Sequence, residues 1–157
     1  VSSRELVELY LGRIERLDPT LRAYRVVLAE EALAAADAAD ARRAKGDAPP
    51  LNGVPIAIKD DTDVAGQVTM RGPLAHDGRP RADAEVVSRL RAAGCVLLGK
   101  THVPELEAMC ATESLAFGAT HNPWDPARTP GGSSGGSGSA ASSEASSSSV
   151  GRRSTGS

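Results

Sequence analysis

A chain of 157 residues has the length of a single domain. Apolar residues make up 40% of it but aromatics only 3%, so a core must rest on Val, Leu, Ile and Ala. A formal net charge of −2 offers no basic face to nucleic acid or to an anionic membrane, and the longest apolar runs, about five residues, are far short of a membrane span. Two cysteines, Cys95 and Cys110, are too few for a disulfide framework and fit a reducing compartment, so the expected location is cytoplasmic. The first residue is Val1 and the last lies in a Ser-rich tail, so the chain reads as a fragment.

In chain order, Ser2-x-x-Glu5 has the form of a capping box. Leu6, Val7, Tyr10, Leu11, Ile14 and Leu17 then recur at helical spacing, predicting an amphipathic helix stopped by Asp18-Pro19. A short apolar piece follows at about 21–28. The Ala-rich run 29–46 has acids early and Arg42, Arg43 and Lys45 late, as the helix dipole favours, with Gly46 as its stop. After the turn cluster GDAPPLNG, the β-leaning run Val54–Ile58 delivers Lys59 at its end. A second amphipathic helix is predicted at 82–94, a buried strand at 95–98 and a further helix from about Pro104 to Cys110. Strand and helix alternate, so the class is α/β. The segment SSEASSSS, Ser142–Ser149, has no apolar face and by composition is exposed or disordered.

Gly94–Thr101, GCVLLGKT, satisfies the phosphate-loop pattern G-x-x-x-x-G-K-[ST]. The mechanism rejects it: that loop must follow a strand and open a helix, whereas Cys95–Leu98 reads as the strand itself. His76, His102 and His121 and the two cysteines show no metal-ligand spacing. Lys59 has two readings. Lysines at strand ends commonly extend their ammonium to water; buried, the amine loses its proton more easily and can serve as a base. TPGGSSGGSGSA, Thr129–Ala140, also has two: a flexible linker, or a loop of small residues that lets the main chain pass close to other groups. The punctuated approach Asn122-Pro123-Trp124-Asp125-Pro126 favours the second.

LNGVPIAIKDDTDVAG, GCVLLGKTHVPELEA and FGATHNPWDPARTPGGSSGGSGSA together resemble the amidase signature family, which includes bacterial amidases and the glutaminase subunit of tRNA-dependent amidotransferases. The resemblance covers residues 1 to about 141. It implies the N-terminal portion of the amidase signature fold, a mixed central sheet flanked by helices, and hydrolysis of a carbon–nitrogen bond through a Ser-Ser-Lys triad and an acyl-enzyme. Lys59 matches the family's base. Ser133, the first serine of GGSSGGS, matches the serine on an unusual cis peptide that relays the proton. The nucleophile is due about two dozen residues further on, where Ser157 stands. No metal or organic cofactor is implied, and the expected partner is a small-molecule amide.

The sequence departs from the family after about Gly138. A small, apolar helix is expected there; the chain instead continues GSAASSEASSSSVGRRSTGS, as a shifted reading frame would produce. Residues 142–157 are therefore set apart as a tail, disordered or aberrant, and the GSDTGGS-like loop expected around the nucleophile is not matched by Arg152-Arg153-Ser154-Thr155. A non-catalytic truncated product is the alternative to an active hydrolase. Which amide is cleaved, and the oligomeric state, are not legible.

Overall fold

The computed structural model describes residues 1–70 and 79–150. Helix α1, Ser3–Leu21, opens on the predicted capping box: Ser2 Oγ accepts the Glu5 N–H at 3.0 Å, and the Ser2 N–H donates to Glu5 Oε2 at 2.8 Å. Asp40, from the following helix, takes the N–H groups of Ser3 and Arg4 at 2.8 and 3.0 Å. These four amides, which the helix itself leaves without partners, are thus all satisfied. The predicted stop at Asp18-Pro19 is overturned, because the helix carries Pro19 inside its last turn, where the ring removes a single helical hydrogen bond. The stop comes at Arg22, in the left-handed region at φ 50°, and Asp18 Oδ1 then accepts the Ala23 and Tyr24 N–H groups to turn the chain into a strand.

That strand is β1, Tyr24–Val27, followed by α2, Ala29–Ala44; β2, Pro55–Lys59; α3, Glu85–Ala92; and β3, Val96–Thr101. The sheet order is β1-β3-β2, with β3 antiparallel to β1 and parallel to β2, so it is a mixed sheet. Every residue of β3 is buried. Val96 and Leu98 pack under α1 and α2 with Val7, Ala32 and Ala36, while Leu97 faces Ile58, Val64 and Val87 on the α3 side. The alternation is what a two-sided central strand requires. Alanine at positions 32, 36 and 39, all buried, keeps α2 slim where it packs.

β3 is longer than the predicted strand and takes in Gly99, Lys100 and Thr101. The phosphate-loop pattern is therefore strand throughout its Gly-Lys-Thr end. A side chain at Gly99 would put its Cβ 2.2 Å from the Val26 carbonyl oxygen, so the glycine lets β1 lie close. The fully buried Lys100 donates to Thr69 Oγ1 at 2.8 Å and pairs with Asp60 at 2.9 Å, and Arg25 closes on the same carboxylate. Burial pushes Lys100 below the usual lysine range, while the hydrogen bond and charge of Asp60 oppose that shift.

The helix predicted at Pro104–Cys110 is a three-residue 3-10 turn, Glu105–Glu107. Leu106 and Glu107 adopt φ of 51° and 58°, which no right-handed helix can continue through. A small hairpin follows, β4 at Glu113–Ser114 and β5 at Gly118–Ala119. Its Phe117 ring lies 5.4 Å from that of His102, whose pKa burial holds low. The stretch after it is tightly tied: Asn122 Oδ1 accepts the Trp124 N–H, Asp125 Oδ1 accepts the Ala127 N–H, and the Asn122 N–H donates to the Arg128 carbonyl. Helix α4, Gly135–Val150, closes the described chain, and its backbone stays helical through the serine-rich segment.

Candidate active site

Strand β2 ends at Lys59, opposite Thr101 of β3. Lys59 Nζ donates to Ser133 Oγ at 2.9 Å and to Glu107 Oε2 at 3.0 Å, and Asp61 Oδ2 stands at 3.5 Å. The side chain is 22% exposed. It neither extends freely into water nor sits in a dry cavity; an ion-paired, half-buried position lies between the two sequence readings. Asp61 shares the Lys59 side of the strand end, two residues on, whereas Asp60 between them turns to Lys100 and Arg25. Burial pushes the Asp61 carboxyl up, but the hydrogen bond from Thr62 and the charge of Lys59 hold it below its ordinary value.

Ser133 is presented by the glycine-serine stretch, which is a packed loop and not a linker. A Cβ on Gly132 would come within 2.7 Å of the Met109 carbonyl oxygen, on Gly135 within 2.2 Å of Thr112 Oγ1, and on Gly136 within 2.5 Å of the His102 nitrogen. Thr112 Oγ1 pins both sides, donating to the Gly131 carbonyl at 2.8 Å and accepting the Gly135 N–H at 3.0 Å. Two further serines are satisfied within the fold: Ser137 Oγ meets Thr101 Oγ1 at 2.8 Å, and Ser139 Oγ donates to the His121 carbonyl at 2.8 Å. The Gly132–Ser133 peptide bond is cis.

The fold thus brings Lys59 and Ser133 into hydrogen-bond contact across 74 residues of sequence. Ser157, expected as the nucleophile, and His76 lie outside the described residues. Sequence reasoning missed Asp61 and Glu107. The i, i+2 spacing from Lys59 could have found Asp61; no local pattern marks Glu107, which the fold recruits from 48 residues away. Among the described residues no group of His, Cys, Asp and Glu is placed to hold a metal, and no helix is long and apolar enough to cross a membrane.

A family model described as Amidase matches residues 5–157, nearly the whole chain. The chain belongs to the amidase signature family. The amidase match continues past about residue 141, where the motif-based resemblance ends, and through the serine-rich segment. Among curated relatives, the chain is 63% identical over 129 residues to AmiB2 of Mycobacterium tuberculosis, a protein with an amidase name, covering 82% of this chain and 28% of that one. It is 45% identical over 159 residues to a glutamyl-tRNA(Gln) amidotransferase subunit from a Synechococcus strain, covering all of this chain and 33% of the relative. This amidase chain therefore spans about a third of the length of the curated relatives it matches. Among solved structures, the peptide amidase PAM in complex with chymostatin aligns with a TM-score of 0.81 at 37% identity, covering 89% of this chain and 30% of that one. A bacterial aryl acylamidase of the amidase signature family aligns with a TM-score of 0.82 at 32% identity, covering 87% and 29%. The α/β class and its assignment to the N-terminal portion of the amidase signature fold both stand.

Proposed function

We propose that this chain carries the base and the proton relay of an amide hydrolase, with Lys59 as base, Ser133 as relay and Ser157 as nucleophile. The observation that supports this best is the 2.9 Å hydrogen bond from Lys59 Nζ to Ser133 Oγ. For turnover, Lys59 must first be present as the free amine. It then takes the Ser133 hydroxyl proton as Ser133 takes the proton of the attacking serine, so that one nucleophilic oxygen is freed and the amine becomes an ammonium. The attack forms a tetrahedral oxyanion; its collapse, with a proton returned by the same route, expels the amine and leaves an acyl-enzyme that water hydrolyses. The step needs no metal or organic cofactor, and the substrate class is a small-molecule amide.

The chain covers 28–33% of its curated relatives, and the remainder of such a protein would supply most of a substrate pocket. The 157 residues alone are therefore proposed to be inactive. A fluorophosphonate probe tests the assignment of the site in the full-length protein: the expected result is covalent labelling at the nucleophilic serine, lost in Lys59→Ala and in Ser133→Ala. Labelling that survives Lys59→Ala at the wild-type rate would refute the role of Lys59.

A further inference from the structure

We infer that Glu107 is a positioning residue for Lys59, an inference that rests on the function proposed above. An ammonium has three N–H groups to place on a long, flexible stem, and one hydrogen bond to Ser133 does not fix it. Glu107 Oε2, at 3.0 Å, gives a second anchor within good hydrogen-bond range; Asp61, at 3.5 Å, is a looser electrostatic neighbour. Glu107 and Asp61 are the charged groups that face Lys59 among the described residues, the first from the turn after β3 and the second from the segment after β2.

The backbone around Glu107 carries the argument further. Leu106 and Glu107 are consecutive non-glycine residues at positive φ, 51° and 58°, a conformation that persists only where the surroundings impose it. The turn also inverts the usual partition of side chains, leaving Leu106 71% exposed while the Glu107 side chain is 29% exposed. A helix over 104–110, which the local sequence favours, would not need either feature. The interaction that this turn gains is the carboxylate on Lys59. That carboxylate holds Nζ beside Ser133 Oγ.

The rate of fluorophosphonate labelling of the full-length protein, followed across probe concentration, tests this without knowledge of the substrate. Glu107→Gln keeps the shape and removes the charge; the expected result is a maximal labelling rate lowered about 10- to 100-fold, with probe half-saturation within twofold. Glu107→Asp keeps the charge and shortens the reach, so the maximal rate falls while probe half-saturation stays within twofold. It also serves as the deciding variant if Glu107→Gln does not fold, which circular dichroism would report. A maximal rate unchanged in either variant, or a faster Glu107→Gln, would overturn the positioning role. If Lys59→Ala and Ser133→Ala abolish labelling while the Glu107 variants do not alter it, only this inference fails; if Lys59→Ala labels normally, the proposed function fails as well.

Discussion

Gly136 sits where a side chain has no room: a Cβ there would stand 2.5–2.8 Å from the backbone atoms of His102 and Ala23. Gly138, further into α4, has open space. Gly136→Ala is therefore expected to lower stability by about 1–3 kcal/mol through overpacking. Gly138→Ala should be neutral or raise it by up to about 1 kcal/mol, because alanine is the better helix former. Urea unfolding of the two variants checks the contrast. At this scale the sequence was readable wherever a residue's role depends on its own neighbours. Lys59 is marked by the apolar run that ends on it, and the family motif singles out Ser133. Glu107 was unreadable because its partner is distant and its left-handed backbone opposes its local propensity. Gly136 has the same explanation, since nothing in GGSSGGS says which glycine is crowded.

Helix α1 owes its start to two sources, one local and one distant. Ser2 is three residues from its partner and was legible as a capping box; Asp40 belongs to α2 and was not. Ser2→Ala is expected to cost about 0.5–2 kcal/mol, measured by chemical denaturation. Asp40 adds a pH dependence. Hydrogen bonds from the Ser3 and Arg4 amides hold its pKa below the ordinary value, so its contribution is complete above the unfolded-state pKa and is lost as pH falls through the folded one. Thermal unfolding of the Asp40→Asn variant should thus differ from wild type at neutral pH and converge with it from about pH 4 downward. The boundary errors have the same physical origin. Pro19 reads as a stop, yet a proline in a final turn removes only one bond, and the actual end was set by Arg22 and the Asp18 side chain.

At the largest scale, the described residues form a three-stranded sheet, with β1 and β2 as its outer strands, that must support two helical layers on a small core. Leu115 is 95% exposed, and Leu106 and Trp124 also face water. Apolar surface of this kind favours association. The 157-residue chain produced alone should elute with higher-order species and unfold over a broad transition. A monomeric peak in size exclusion with a sharp calorimetric transition would contradict that. The α/β class and the order of the main elements were legible from alternating periodicity. The pairing of β3 with both neighbours was not, since strand order depends on contacts that no local pattern encodes. The distance in sequence between the paired amine and hydroxyl has one more outcome. A ribosome adding about 5–20 residues per second makes position 59 roughly 4–15 s before position 133, a gap of 74 residues. For that interval the nascent lysine lacks its hydroxyl partner, so their hydrogen bond cannot form until the glycine-rich loop has emerged and folded back.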